Sequence, residues 1–197
     1  NLYFEILNQL KFKITSKKNV FSLEKKYDFI YQSFFDMEIK KNYCLFHFDE
    51  RWNSFDENIN KNILCFLKKI SEKNKIVITT GIKDFRLLKV LENKFKTYNF
   101  YDNTFNIISK NHNSSDVVVL KNMPLNLLAY FIKNSDKNFS AHSGPIVHIG
   151  AAFNKLTIDI IKKSKNNELD RWIPEVSNYK RINFENLNNN YISNLVI

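Results

Sequence analysis

A chain of 197 residues with 30 Lys+Arg against 20 Asp+Glu, a formal charge of +10, suits one domain, or one domain with extensions, and is long enough to bury a proper core. The lysines are spread along the chain among many asparagines, so the charge reads as a solvated basic surface that favours anionic partners in general. Zinc-finger spacing, an RNA-recognition signature and a basic helix are all missing, which argues against nucleic acid.

No apolar run approaches the roughly 18 residues of a membrane span. Cys44 and Cys65 sit inside apolar runs rather than in a CxxC pair, the pattern of buried free thiols in a reducing, cytoplasmic compartment. The chain opens on Asn1, without Met and without the basic-then-apolar plan of a signal peptide, so Asn1 is expected to be a cut into a longer protein.

In chain order, Leu2, Tyr3, Ile6, Leu7 and Leu10 mark one face of a helix, with Lys11 and Lys13 near its end. Tyr27 to Phe35 is a second amphipathic piece, rich in aromatics. Both precede the first convincing core strand, so residues 1–42 are expected to form a helical linker or neck that packs against a domain outside this chain. From residue 43 the pattern becomes regular. Tyr43 to Phe48 is a nearly continuous apolar run suited to a buried strand, and it enters the polar loop Asp49 to Ser54. Ile59, Ile63, Phe66, Leu67 and Ile70 mark a helix. Lys75 to Thr80 is a second strand ending at Gly81, followed by a helix carrying Phe85, Leu88, Leu91 and Phe95. Thr104 to Ser109 is a short strand and Asp116 to Leu120 a firmer one. Pro124 then suits the first turn of a helix with Leu125, Leu128, Ala129 and Ile132. Lys137 to Ser140 ends a strand, Pro145 to Phe153 is helical, and Leu156 to Ile161 closes the series. Residues 43–175 are thus expected to form one domain, with 176–197 as a helical tail through Tyr191, Ile192 and Leu195.

Alternation of strand and helix predicts an α/β fold: a Rossmann-like parallel sheet with helices on both faces, since parallel strands need helical crossovers. Ligands in such sheets collect at the carboxyl ends of the strands. Here those ends carry four loops, His47 to Trp52, Thr79 to Asp84, Lys121 to Met123 and Ala141 to Gly144. The last concentrates unusual residues, for Ser140 to Phe153 holds two of three glycines, a proline and two of four histidines. Ser143, Gly144 and Pro145 at a helix start suit an anion, because backbone N–H groups and the positive end of the dipole converge there. His148, one turn in, can reach a phosphate or ribose. Equally, it suits a satisfied core position, and the turn itself suits a plain capped junction. Arg51 can pair with a phosphate. Thr80 and Gly81 end the second strand. Asp84 can accept from a ribose hydroxyl or simply cap the next helix, and Asn122 and Met123 can line a base pocket. Walker, GxGxxG, GxSxG and HExxH patterns are absent. Asp49 and Glu50 are adjacent, which does not make a hydrolytic pair, and nothing in the sequence calls for a metal or cofactor.

The run from Met123-Pro-Leu to Ile161, centred on His142-Ser-Gly-Pro-Ile-Val-His-Ile-Gly-Ala-Ala, resembles glycosyltransferase family 9, the lipopolysaccharide heptosyltransferase type. That family carries Asp-(Ser/Thr)-Gly-Pro-x-His-(Ile/Leu)-Ala-Ala-Ala at the corresponding place. His142 stands where the family has Asp, and one extra residue separates Pro145 from His148. The resemblance spans residues 1 to about 175 and implies the C-terminal, donor-binding half of a two-domain GT-B enzyme, with Tyr3 to Lys13 as its linker helix. It implies that His142, Ser143, Gly144, Pro145, His148 and Arg51 hold the phosphates and sugar of a nucleoside-diphosphate sugar donor, with Asp84 near the ribose. It further implies inverting transfer to a glycan or glycolipid acceptor, and a general base in an N-terminal domain outside these residues. The setting would be cytoplasmic, with peripheral association at the inner face of the membrane, and this chain alone would bind nucleotide without turnover. Two other classes remain open: a non-catalytic Rossmann-like module binding a nucleotide or protein, and a nucleotide-sugar epimerase.

Overall fold

The computed structural model describes residues 13–14, 21–23, 25–40, 42–54, 59–81, 86–101, 104–109, 116–142, 144–174 and 178–186. β1 (Lys13–Ile14) and β2 (Phe21–Ser22) form a small antiparallel ladder. α1 (Lys25–Phe34) follows and runs into a π-helical turn, Phe35–Ile39, closed by left-handed Lys40. The rest of the chain alternates: β3 (Tyr43–Phe48), α2 (Ile59–Ser71), β4 (Lys75–Thr80), α3 (Arg86–Lys94), β5 (Lys96–Tyr101), β6 (Thr104–Ser109), β7 (Val117–Lys121), α4 (Leu125–Asn134), β8 (Lys137–Ala141), α5 (Pro145–Ala152), β9 (Leu156–Ile161), α6 (Asn166–Leu169) and β10 (Tyr179–Asn183). Eight strands form one sheet in the order β10-β9-β8-β3-β4-β7-β5-β6. Every neighbouring pair is parallel except β5 with β6.

β3 and β4 are buried at every residue, which is why they read as apolar runs rather than alternating strands. Side chains from one strand divide between two cores. Cys44, Phe46 and Phe48 point to the layer of α2 and α3, whereas Tyr43 and Leu45 point to the layer of α1, α4 and α5. Phe46 stacks on Phe139 of β8 at 4.2 Å and 3°, and Phe66 of α2 meets Phe46 edge-on at 5.5 Å. Each such fully buried ring stabilises by about 2–3 kcal/mol, and this cluster fixes β8 beside β3.

Three expectations need correction. α1 is part of the domain rather than a neck: Phe34 is fully buried, with its ring 5.0 Å from Tyr98, 5.2 Å from Phe105 and 6.0 Å from Phe131. α1 shares this core with α4, its Phe34 packing on Tyr98 and Phe100 of β5 and on Phe105 of β6. Of the linker helix expected over Tyr3 to Lys13, residues 3–12 lie outside the described residues and Lys13 opens the strand β1 instead. The domain boundary expected at 175 falls inside the sheet, because β10 extends it in register with β9, from Tyr179 against Thr157 to Asn183 against Ile161. Tyr179 and Arg181 of β10 serve a polar layer: the Tyr179 hydroxyl donates to Asp159 Oδ2 at 2.8 Å, and Arg181 donates to Asp170 Oδ1 at 2.6 Å and to the Leu169 carbonyl at 2.9 Å. The tail beyond residue 186 is outside the described residues. Finally, Cys44 is a buried free thiol, its pKa pushed up to about 11 by burial, but Cys65 is exposed. α2 turns Ile63, Phe66, Leu67 and Ile70 to the sheet, and position 65 falls on the opposite side. Among the described residues no helix is long and apolar enough to cross a membrane.

Candidate functional site

β3 lies between β4 and β8. The chain leaves β3 on one side and returns on the other, so the carboxyl ends of β3 and β8 flank the topological switch point, where open α/β sheets bind ligands. A cavity of about 430 Å³ opens there, walled by the ends of β3, β4 and β7 and the first turns of α4 and α5. That volume lies within the range of small-molecule sites.

The end of β3 supplies its polar side. His47 is buried, its Nδ1 lies 3.0 Å from Thr79 Oγ1, and its Nε2 faces Asp49 Oδ2 at 3.8 Å. Assigning the proton to Nε2 lets Nδ1 accept from the Thr79 hydroxyl. Burial holds the His47 pKa down at about 4, outweighing the opposing pull of Asp49, so the ring is neutral at pH 7 and its contact with Asp49 is no ion pair. Asp49 is itself buried. Its Oδ1 accepts from the Arg51 backbone N–H at 3.0 Å, and its Oδ2 accepts from Arg51 Nε at 2.8 Å and from Nη2 in a close ion pair. Trp52 is core rather than a stacking platform: it is buried against Phe48 at 4.5 Å, and its Nε1 donates to the His47 carbonyl at 3.1 Å.

Arg51 reaches from this loop to the start of α5. A Cβ on Gly144 would lie 2.6 Å from Arg51 Nη1 and 2.7 Å from Cζ, and closer still to Nη2. Glycine is therefore needed at 144 for space; its φ of −73° is open to any residue. A guanidinium at the positive end of a helix opposes the dipole by about 0.3–1 kcal/mol. Asp49 offsets that, and an anion placed between Arg51 and the helix would reverse its sign. Among the described residues no side chain caps α5, whose N-cap is Gly144 and whose first residue is Pro145. Beneath α5, Gly150 allows close approach to β9, since a Cβ there would meet the Thr157 side chain.

Of the residues expected from sequence, Arg51, Thr80, Gly81, Asn122, Met123 and Pro145 line the cavity, and Gly144 lies behind Arg51. Thr80 is buried, and its hydroxyl has no hydrogen-bond partner among the described residues. His142 and His148 stand apart from the lining. The His142 ring turns to β9's end, where its Nε2 accepts from the Lys162 N–H at 3.3 Å; the His148 ring sits 6.2 Å from Trp172. Burial lowers both pKa values, against the pull of Asp159. Ser143 and Asp84 are outside the described residues. The structure adds Asp49, Glu50 and His47 on the polar side and Leu125, Leu128 and Ile146 on the apolar side.

No family model matches this sequence, and no curated protein matches it. Among solved structures it is similar to the glycosyl transferase family 9 protein from Veillonella parvula DSM 2008, with a TM-score of 0.56 and 14% identity over 93% of this chain. The fold is Rossmann-like. The match covers 48% of that protein, so this chain spans about half its length. At that identity the likeness carries the fold, and the chemistry has to come from the cavity. Among the described residues no group of three or more His, Cys, Asp or Glu side chains is placed to hold a metal ion; the cavity's one basic side chain in this set is Arg51.

Proposed function

We propose that this chain is the donor-binding half of an inverting glycosyltransferase and that the switch-point cavity takes the nucleoside diphosphate of a nucleotide sugar. The observation that carries this reading is Arg51 packed on Gly144 at the uncapped start of α5. Cation and helix terminus together form a charge arrangement that an anion completes. The diphosphate lies against Arg51, Gly144, Pro145 and the first N–H groups of α5. Thr80, Gly81, Asn122 and Met123 then face the nucleoside, with Leu125, Leu128 and Ile146 as its apolar wall. Ser143 keeps the sugar-side role that the family motif implies, whereas the His142 and His148 rings face the end of β9 and Trp172.

In the whole enzyme an acceptor hydroxyl attacks the anomeric carbon, its proton passes to a base outside this chain, and the bond to the diphosphate breaks. Arg51 and the helix start stabilise the departing charge. The donor sugar is a heptose or a hexose, and the acceptor a cell-surface glycan or lipopolysaccharide reached at the inner face of the membrane. The half-length match to a glycosyl transferase supports a second domain in the working protein. Calorimetric titration with ADP, UDP and GDP tests the reading. One of them is expected to bind with a dissociation constant of about 1 μM to 1 mM, equivalent to roughly 8 to 4 kcal/mol. A folded chain that binds none of the three ends the proposal.

A further inference from the structure

We propose that Asp49 is a positioning residue of this site: it aims Arg51 at the start of α5. The inference rests on the functional reading above. Asp49 is 4% exposed and stands one residue past β3. It holds Arg51 at its backbone N–H, at Nε (2.8 Å) and at Nη2. Nε and Nη2 form one edge of the planar guanidinium, so Asp49 fixes both the plane and the direction of the group. Gly144 lies against the end of the guanidinium, where a Cβ would fall 2.6 Å from Nη1 and closer still to Nη2. Arg51 is thus held between a buried carboxylate and a glycine. A second, independent polar group serves the same cavity, the buried Thr80 hydroxyl that has no partner among the described residues.

Asp49 also cancels the formal charge of Arg51. The pair attracts an anion through the direction of its N–H groups more than through net charge, so geometry sets affinity. The consequence for the turn is direct: His142 stands in place of the acid of the family motif, yet a carboxylate still adjoins this turn, supplied from the end of β3.

The test is a double-mutant cycle on the full chain, read as affinity for whichever of ADP, UDP and GDP binds the wild type. Asp49→Asn keeps Oδ1 for the Arg51 backbone N–H and keeps the volume, but turns an NH2 toward Nε. It is expected to weaken binding about tenfold alone and to have no further effect in Arg51→Gln, the coupling of residues that act through one another. An equal loss in both backgrounds, an unchanged affinity or a tighter one overturns the proposal. Asp49→Glu retains the charge and displaces the guanidinium by a methylene. It too is expected to lose about tenfold if aim matters, and it carries the test should Asp49→Asn not fold; wild-type affinity in Asp49→Glu overturns the proposal. A wild type that binds no nucleoside diphosphate overturns this inference together with the functional reading, whereas a binding wild type with an indifferent Asp49 overturns this inference alone.

Discussion

The turns β7–α4 and β8–α5 use the same backbone device for different surroundings. In each, the first residue past the strand is left-handed and is not glycine: Asn122 at φ 54° and His142 at φ 51°. In each, a proline marks the helix start, Pro124 as the N-cap of α4 and Pro145 as the first residue of α5, and neither helix has a side-chain cap. What differs is the company. Met123, Leu125 and Leu128 give the first turn an apolar aspect, whereas the second faces Arg51 held by Asp49. The loop after β3 therefore distinguishes two otherwise similar helix starts, and on that difference the proposed function puts the phosphates at α5 and the nucleoside on the side of α4.

The most severe way to break that distinction is Gly144→Val. Its Cβ displaces the guanidinium, while φ −73° and ψ −176° suit a β-branched residue. Affinity for the nucleoside diphosphate is expected to fall about a hundredfold, the worth of a charge-assisted contact plus lost aim. Thermal unfolding should fall as well, because the displaced guanidinium leaves the buried Asp49 carboxylate without its charged partner. Titration and melting of the same sample check both halves of the statement.

Between the two turns sits His47, and acid should act on the site through it. Its folded pKa of about 4 lies below the ordinary 6.5. As pH falls below 6.5 the unfolded chain takes a proton that the folded chain refuses, so stability present above 6.5 is lost progressively down to about 4. Between pH 7 and pH 5 this amounts to roughly 2 kcal/mol. His142 and His148 are shifted in the same direction by burial and steepen the loss. Urea unfolding across this range should show the slope, and His47→Gln should flatten it without abolishing it.

The parts of this arrangement that sequence made legible are those with one dominant physical cause. β3, β4 and β7 are buried on both faces, so burial alone writes their apolar runs. Gly144 and Pro145 announced a helix start. β5 was missed because Lys96-Thr-Tyr-Asn-Phe-Tyr101 mixes polar and aromatic residues directly after α3, and Phe95 read as a continuation of the helix. β10 was missed because Ile182 is its one core residue, the rest of the strand serving the polar layer around Asp159 and Asp170. The aromatic face of α1 was visible, but its partners on β5, β6 and α4 are brought to it only by the sheet order. Asp49 was set aside as an acid beside another acid. Its meaning depends on Arg51 folding back two residues later, which a sequence signals only as Asp-x-Arg at the end of a buried strand.

The smallest effects test whether the two turns are interchangeable. Alanine pays for a left-handed backbone, about 1 kcal/mol, so Asn122→Ala should destabilise by about that much and His142→Ala, which also loses its ring acceptor, by about 2 kcal/mol. Glycine removes the backbone cost at both positions. At 122 it forfeits only the exposed bond from Asn122 Nδ2 to Asn99 Oδ1 at 2.8 Å, so Asn122→Gly should return to within about 0.5 kcal/mol of wild type. At 142 the ring is the acceptor for the Lys162 N–H, and removing it from a half-buried setting costs about 1 kcal/mol, so His142→Gly should stay about 1 kcal/mol below wild type. A return to wild type at both positions, measured by urea unfolding, would reduce His142 to a left-handed spacer like Asn122. A residual loss at 142 alone instead makes its ring the strut that ties the α5 turn to the end of β9.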